Sequence, residues 1–407
     1  MRLVVVKHGY PHYLQTFYRR WPELRDGSYE EQRAAFDHDS FWWGGAWGRA
    51  LPAEGIEVTE LLHNAEPLQR AWARERGLSI NETAWREDIL RRQIKEAAPD
   101  ALFLQSFKAM TPRLLAIVRA ENPGLRAVIA WVGGANQRES LLKRSDHVLT
   151  CVPELVDQFR AAGLRCSLMH HAFDPTVRDR MRHRYARPAI PLSFAGNVLD
   201  RAQHGSRSRL IRRLAATTGI EVYANVPEWR STRRGALARR ASYMTVTALR
   251  KARVSDPRIE GVSFLRAAAR MRHPPRLPPP PVPADRLRPP VYGLRMFETL
   301  ARSTVTLNVH SEIFPHSIAN LRTFEAGGAG TCQLIERRRN LPELFEPDHE
   351  VVAYESPEDC VERARWLLEH PAEAARIGAA GLRRTLSQHT FAHRAPILAD
   401  AIRAALA

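Results

Sequence analysis

Residues 101–132 read ALFLQSFKAMTPRLLAIVRAENPGLRAVIAWV and contain the pattern that decides the fold. Two apolar runs, 101–105 and 127–132, lie on either side of a helix-like segment at 112–119. Strands of a parallel sheet have near-continuous apolar runs of this kind, because helices cover both faces of the sheet. The stretch therefore predicts a strand, a helix and a second strand in one parallel sheet.

The same alternation extends outward through the first 175 residues. Apolar runs typical of strands occur at 3–6, 56–62, 147–151 and 166–171. Helix-like segments occur between them at 30–36, 84–96 and 153–162. Short apolar runs separated by helical patterns are typical of a doubly wound α/β domain, so we predict an N-terminal Rossmann-like domain over residues 1–175.

A second half repeats the pattern. Apolar runs recur at 192–195, 221–224, 304–309, 331–335 and 351–354, with helix-like segments at 207–215 and 321–326. Ser356 precedes Pro357 and two acids, the order that begins a helix. These elements predict a second Rossmann-like domain over residues 176–390, interrupted by an insertion at 227–290.

Composition limits the class of protein. The 407 residues are 44% hydrophobic and 26% charged, an ordinary globular mixture. No apolar run approaches the roughly 18–20 residues that span a bilayer, and the N-terminal run is too short for a secretory signal. The cysteines have no paired spacing, so they predict reduced core residues. We therefore expect a soluble, cytoplasmic bacterial protein.

The formal net charge is +17, and all but five of the 61 cations are arginine. A GC-rich genome would produce part of this bias, but a positive field still favours anionic partners. The insertion at 227–290 is rich in arginine, and residues 274–290 contain nine of the 28 prolines, which predicts an extended surface loop there. Two interpretations stay open: a solvated helix pair with a stiff connector, or a contact surface for an acceptor, a membrane or a partner.

Several common catalytic motifs are absent from the sequence. It has no GxGxxG fingerprint, no phosphate-binding GxxxxGK[ST] loop, no HExxH and no GxSxG. The histidines have no metal-ligand spacing, so no metal site is expected. Dinucleotide oxidoreductases, P-loop enzymes, metalloproteases and serine hydrolases therefore have little support.

Candidate ligand-binding residues follow two predicted strands of the second half. Gly196 and Asn197 end one strand, and the polar segment after them leads to Arg207. Ligands of doubly wound folds lie at such strand ends, where helix N-termini attract anions. A second constellation runs from Leu307-Asn-Val-His310 to Asn320-Leu-Arg-Thr-Phe-Glu325.

In this second constellation Arg322 lies within reach of phosphates and Glu325 accepts hydrogen bonds from sugar hydroxyls, so the two would hold a nucleotide. Three small residues, Gly327, Gly328 and Gly330, permit close packing against it. The spacing equally allows an i,i+3 ion pair on a solvated helix face. Both interpretations stay open on spacing alone.

The residues resemble a family, the CgeB-like glycosyltransferases of the spore-maturation-protein type. The C-terminal resemblance rests on Tyr292-Gly-Leu, Leu307-Asn-Val-His310, Asn320-Leu-Arg-Thr-Phe-Glu-Ala326, Leu341-Pro-Glu-Leu-Phe345, Glu350-Val-Val-Ala-Tyr354 and His389-Thr390. The N-terminal resemblance rests on Tyr13-Leu-Gln-Thr-Phe-Tyr18, Gln69-Arg-Ala-Trp72, Pro153-Glu-Leu-Val-Asp-Gln-Phe159 and His170-His-Ala-Phe-Asp-Pro175. Together these motifs cover most of the chain outside the insertion.

The resemblance implies a GT-B fold, in which two Rossmann-like domains face a cleft. It places the acceptor mainly on the first domain and a nucleotide-sugar on the second, and a C-terminal helix at 391–407 packs back on the first domain. Glu325 would then bind the ribose, with the diphosphate near Arg322, Arg207 and Asn197. The other donor-binding candidates are Gly196, His310 and Asn320.

One position departs from the family pattern. Related retaining enzymes have a glutamate eight residues before the position of Glu325, and this chain has Ser317 there. The nearest acid is Glu312. Both retaining and inverting outcomes therefore stay open.

The expected activity is transfer of a sugar from a UDP- or GDP-type donor (EC 2.4), with no metal and no further cofactor. Cations and helix N-termini stabilise the departing diphosphate. An inverting reaction needs a base, for which His8 is the candidate and Asp37 or Asp39 the alternatives. In a retaining reaction His171 or His310 would instead contact the donor.

The acceptor stays open among a glycan, a protein or peptide, and a small molecule. Peripheral contact with the anionic inner membrane is a further expectation, and no specific nucleic acid is expected. The alternative functions are a GT-B nucleotide-sugar epimerase, or a non-enzymatic binder of nucleic acid or anionic surfaces through the insertion. Aromatic residues around Phe41-Trp-Trp43 and Trp47 either stack on an acceptor or pack a core.

Overall fold

The computed structural model describes residues 1–134, 139–181, 189–198, 205–271, 273–275, 277, 282–310 and 314–407. Its strands are β1 Arg2–Lys7, β2 Glu57–Leu62, β3 Ala101–Leu104, β4 Ala127–Val132, β5 His147–Thr150, β6 Cys166–Leu168, β7 Ile190–Ala195, β8 Glu221–Tyr223, β9 Leu287–Arg288, β10 Ser303–Asn308, β11 Cys332–Glu336 and β12 Val352–Tyr354.

Its α-helices in the first half are α1 Pro11–Arg20, α2 Tyr29–Asp39, α3 Ala46–Ala50, α4 Glu66–Glu75, α5 Trp85–Ala97, α6 Pro112–Glu121, α7 Glu139–Leu142, α8 Pro153–Ala161 and α9 Thr176–Arg180. The later helices are α10 Gly205–Thr217, α11 Pro227–Lys251, α12 Asp256–Gly261, α13 Arg266–Ala269, α14 Gly293–Ala301, α15 Arg322–Ala329, α16 Leu341–Leu344, α17 Pro357–Glu369, α18 Pro371–Gln388 and α19 Phe391–Leu406.

The first sheet has six strands in the order β2-β1-β3-β4-β5-β6, and its pairings are parallel. Strands β3, β4 and β5 are buried along their whole length, as strands covered on both faces must be. The order places β1 in the interior and β2 at an edge. The predicted parallel sheet of the first half is confirmed.

The second sheet also has six strands, in the order β12-β11-β10-β7-β8-β9. Strands β7, β10, β11 and β12 pair in parallel, as do β8 and β9. Ser356 caps helix α17 as predicted, because its hydroxyl accepts a hydrogen bond from the backbone N–H of Asp359 at 3.1 Å. The two Rossmann-like sheets predicted from the sequence are therefore present.

The chain divides into two compact units. The first unit contains Met1–Ser193 together with Val291–Ala407, and the second contains Phe194–Pro290. The domain ranges predicted from the sequence, 1–175 and 176–390, are a different division and stay a prediction.

Helix α19 belongs to the core of the first sheet. Its buried residues Ala395, Leu398, Ala399 and Ile402 are part of the apolar cluster that also contains strands β1, β3 and β4. Most of this helix is amphipathic in the ordinary sense, with its buried residues spaced three or four apart. The segment after residue 390 therefore completes the packing of the first sheet.

The insertion contains one long helix, α11, and two short ones. Val246 of α11 packs against Ile259, Leu265 and Ala268 in a small apolar cluster. The proline run at 278–281, predicted as an extended surface loop, lies outside the described residues. Strand β9 follows it, which the sequence prediction missed because only two residues, Leu287 and Arg288, pair with β8.

In the described part of the chain, no helix is long and apolar enough to cross a membrane. The cysteines Cys151, Cys166, Cys332 and Cys360 are all buried and reduced. This agrees with the predicted role of the thiols as core residues.

Candidate functional site

Arg322 and Glu325 lie on the first turn of helix α15 and form an ion pair. Arg322 Nη1 lies 2.8 Å from Glu325 Oε2, and the guanidinium also contacts the sulfur of Met296. Glu325 is only 8% exposed. Burial raises the pKa of its carboxyl, although Arg322 opposes the shift. The pair is therefore buried rather than on a solvated helix face.

Glu325 lines a cavity of about 280 Å³ within the first unit. Its walls come from three separate stretches of chain. They include Trp43 and Gly44, then Phe173 and Asp174, then Phe297 and Leu321. A buried carboxylate at the edge of a cavity can accept hydrogen bonds from a ligand that carries hydroxyl groups.

Asn320 fixes the start of helix α15. Its side-chain oxygen accepts hydrogen bonds from the backbone N–H of Thr323 at 3.1 Å and from the Thr323 hydroxyl at 2.7 Å. Its amide nitrogen donates to Asn308 Oδ1 at 2.8 Å and lies 2.9 Å from His310 Nδ1. Asn320 and His310 are therefore brought together, and they join the end of strand β10 to the helix that carries Glu325.

The two glycines predicted to pack against a nucleotide pack against protein instead. A Cβ on Gly328 would lie 2.2 Å from the ring of Phe173, and a Cβ on Gly327 would lie 2.3 Å from the Thr385 hydroxyl. Gly330 has a φ of +79° and ends helix α15 in the left-handed region. This correction gives the glycines a packing role in helix α15.

Gly196, Asn197 and Arg207 lie together in the second unit. Arg207 Nη1 donates to the backbone oxygen of Asn197 at 3.0 Å, and its guanidinium lies 5.9 Å from the centre of the Phe194 ring. The backbone N–H of Gly196 donates to the Tyr223 oxygen at 3.1 Å. These contacts hold a guanidinium beside the end of strand β7.

His8 pairs with a second histidine that sequence reasoning missed. His8 Nδ1 lies 2.8 Å from His63 Nε2. Burial lowers the pKa of His8 to about 4 and that of His63 to about 3, so both rings are neutral at pH 7. A signal was available: His8 and His63 each directly follow a predicted strand, and the two strands are parallel neighbours.

Asp39 caps a helix. Its Oδ1 accepts a hydrogen bond from the backbone N–H of Leu294 at 3.4 Å, at the start of helix α14. Burial raises the pKa of this carboxyl to about 6. A Cβ on Gly293, whose φ is +55°, would lie 2.0 Å from Asp39 Oδ2. The contacts of Asp39 are thus those of a structural cap, and its role as a base stays a prediction.

His171 lies between two tryptophans. Its ring centre is 5.3 Å from those of Trp43 and Trp131. Burial lowers the pKa of His171 to about 3, with His170 adding to the shift, so the ring is neutral. Trp43 also lines the cavity beside Glu325. His171 therefore lies one residue behind the wall of that cavity.

A second cavity of about 520 Å³ opens beside the ends of strands β1 and β2. Aromatic and charged side chains both line it, and Gly44 borders both cavities. The aromatic residues are Tyr13, Phe36, Phe41 and Trp42, and the charged residues are Lys7, Arg33, Asp37 and Glu60. Phe41 and Trp42 thus line a cavity, whereas Trp43 and Trp47 pack in the core.

The segment between the cavities has an unusual backbone. Ser40, Trp42 and Trp43 have φ angles of 55°, 43° and 67°, in the left-handed region that bulky residues rarely adopt. The ring of Tyr10 stacks on that of Trp42 with 5.4 Å between their centres. Strain of this kind persists where surrounding contacts hold it, and it clusters at ligand sites.

Ser317 lies where related retaining enzymes have a glutamate. Ser317 is buried, and Glu312 lies outside the described residues. The structure therefore leaves the stereochemical outcome as the sequence left it.

Residues 207–400 match a family model described as glycosyl transferase-like. No curated protein sequence matches the chain. Three solved structures resemble it along nearly their whole length. They are sucrose-phosphate synthase from Thermosynechococcus elongatus (12% identity, TM-score 0.51, 99% of this chain and 98% of that chain), HepE from Anabaena in complex with UDP and glucose (11%, 0.50, 99% and 99%), and a glycosyltransferase from Rickettsia africae (7%, 0.51, 100% and 98%).

At these identities the likeness shows the fold. It confirms the predicted GT-B fold class, with two Rossmann-like α/β domains. The family match over residues 207–400, together with this fold, supports a GT-B glycosyltransferase. The CgeB-like subtype stays a resemblance.

Proposed function

We propose that the chain transfers a sugar from a nucleotide-diphosphate sugar of UDP or GDP type to an acceptor hydroxyl, without a metal. The observation that carries the proposal is the buried carboxylate of Glu325, which lines a cavity and is paired with Arg322 at 2.8 Å. HepE from Anabaena, which has a similar fold, is in complex with UDP and glucose. That complex supports the choice of donor.

In this proposal Glu325 accepts hydrogen bonds from the ribose hydroxyls, and Arg322 holds the carboxylate in its ionised form. Cleavage of the bond between sugar and phosphate leaves negative charge on the departing diphosphate. Guanidinium groups and backbone N–H groups at helix N-termini stabilise such charge. We assign this role to Arg322 and Arg207, and to the N-terminus of helix α15.

We assign the acceptor to the larger cavity of the first unit. Four aromatic side chains line it, and aromatic rings bind the apolar faces of sugars and other rings. The acceptor proton goes to His8, because its imidazole is neutral and can accept a proton. His63 lies at hydrogen-bond distance from His8 and fixes the orientation of that ring. Asp39 and His171 stay secondary candidates.

Binding of UDP and GDP to the purified chain tests the donor site. One nucleoside diphosphate is expected to bind at one site per chain and to raise the melting temperature. Glu325→Gln removes the charge but keeps the shape, and it should weaken nucleotide binding by about ten-fold or more. Glu373→Gln is the matched control, since Glu373 forms the same i,i+3 pair with Arg376 on an exposed helix.

Two results would contradict the proposal. One is that neither nucleotide binds, and the other is that Glu325→Gln and Glu373→Gln bind the nucleotide equally well. Incubation with the donor sugar and no acceptor separates a transferase from an epimerase. An epimerase would change the configuration of the sugar under these conditions.

A further inference from the structure

The helical part of the second unit is strongly basic. Residues 233–271 contain ten arginines or lysines and two acids, a formal net charge of +8. The two acids are already paired, Asp256 with Arg250 at 2.8 Å and Glu260 with Arg270 at 3.3 Å. The segment therefore presents a positive surface that its own acids do not neutralise.

One face of helix α11 combines this charge with exposed apolar side chains. Its members recur every three or four residues, so they lie on one stripe of the helix. We call it the α11 stripe: Arg233, Leu237, Arg240, Met244, Ala248 and Lys251. All six are exposed, Leu237 at 46% and Met244 at 60%. The apolar cluster of the insertion contains Val246, which is on another face of the helix.

Exposed large apolar residues are concentrated in this segment. Within the described residues, four of the eight large apolar side chains that are exposed lie between positions 237 and 264. Besides Leu237 and Met244 they are Val262 and Phe264, which lie between helices α12 and α13. Such a local excess of apolar surface marks an interaction site.

We propose that the α11 stripe docks on an anionic lipid bilayer, with helix α11 lying in the plane of the headgroups. Cations attract acidic headgroups, and apolar side chains between them insert into the interface. Both parts of the stripe are then used. A nucleic acid would use the cations alone, because its surface is a row of phosphates, and Leu237 and Met244 would gain nothing from it.

Vesicle co-sedimentation of the full chain tests the proposal. Vesicles of phosphatidylcholine with about one third phosphatidylglycerol should bind the chain at about 150 mM salt, and pure phosphatidylcholine should bind it far less. The variant Arg240→Glu/Met244→Ser should lose about ten-fold in affinity for the anionic vesicles. Met244→Ser alone should lose part of this affinity, which separates insertion from charge.

Helix α18 offers a matched control. Arg383 and Leu386 are an exposed cation and an exposed apolar residue three positions apart. Arg383→Glu/Leu386→Ser makes the same changes of charge and apolar surface, and it should bind anionic vesicles as the unaltered chain does. Circular dichroism spectra that match that of the unaltered chain show that each variant is folded.

Three outcomes would overturn the proposal. The first is that the unaltered chain does not bind anionic vesicles. The second is that the α11 and α18 double variants bind them equally well. The third is that duplex DNA displaces the chain from the vesicles and that Met244→Ser changes neither affinity, which would assign the stripe to nucleic acid. Nucleotide binding to the first unit is measured separately, so failure here leaves the proposed function intact.

Discussion

The buried carboxyl of Asp39 should give the stability of the protein a measurable pH dependence. Burial raises its pKa to about 6 in the folded state, while an unfolded aspartate ionises near 4. Between these values the folded chain holds a proton that the unfolded chain has lost, so this contribution to stability falls as pH rises through about 6. Asp39→Asn keeps an acceptor for Leu294 and removes the ionisation.

We therefore expect the free energy of unfolding of Asp39→Asn, relative to the unaltered chain, to rise by about 1–2 kcal/mol between pH 5 and pH 7.5. Urea unfolding of both proteins at the two pH values measures this difference. A difference that stays constant with pH would show that Asp39 does not ionise in this range.

Local spacing predicted part of the candidate site. Arg322 and Glu325 are three residues apart on one helix, so their contact follows from the sequence. The contact between Arg322 and Met296 and the burial of Glu325 depend on distant parts of the chain, which no local pattern encodes. The pairing of His8 with His63 was open to prediction only by combining two strand assignments.

At the scale of the element, close packing of helix α18 requires a glycine. A Cβ on Gly378 would lie 2.6 Å from the backbone oxygen of Gly330 and 2.9 Å from the backbone nitrogen of Cys332. Backbone atoms cannot move aside as a flexible side chain can. Gly378→Ala should therefore destabilise the chain by about 1–3 kcal/mol.

The control for this substitution is Gly124→Ala, because a Cβ there meets no atom within 4 Å. Thermal unfolding of the two variants measures the comparison. Equal melting temperatures for both would mean that helix α18 shifts to accept the methyl group.

The strands were predicted well where the chain is apolar and continuous. The predicted run at 127–132 coincides with β4, because it is buried on both faces. The run at 166–171 was too long: β6 ends at Leu168, and His171 beyond it is held by tryptophans rather than by a neighbouring strand. The positive φ angles of Trp42 and Trp43 were not predictable, because only tertiary contacts stabilise them.

At the scale of the whole molecule, the buried histidines should make the fold sensitive to acid. Burial lowers the pKa of His8, His170 and His389 to about 4, and of His63 and His171 to about 3. Unfolded histidine binds a proton near pH 6.5, so below that pH the unfolded chain holds more protons than the folded chain. Stability is therefore present above about pH 6.5 and is lost as pH falls towards 4.

Urea unfolding at pH 7.5 and pH 5 measures this effect on the unaltered chain. The free energy of unfolding should be lower at pH 5 by about 2 kcal/mol or more, although Asp39 opposes the trend. An unchanged midpoint would mean that these rings are protonated inside the folded protein.

The position of helix α19 in the first sheet has a consequence for biosynthesis. Leu398 and Ile402 emerge from the ribosome hundreds of residues after the strands they cover, so those strands wait with an apolar face uncovered while the rest is translated. A nascent chain halted before residue 391 should therefore be digested by proteases more readily than the finished one, and trigger factor or a similar chaperone is the expected companion of that interval.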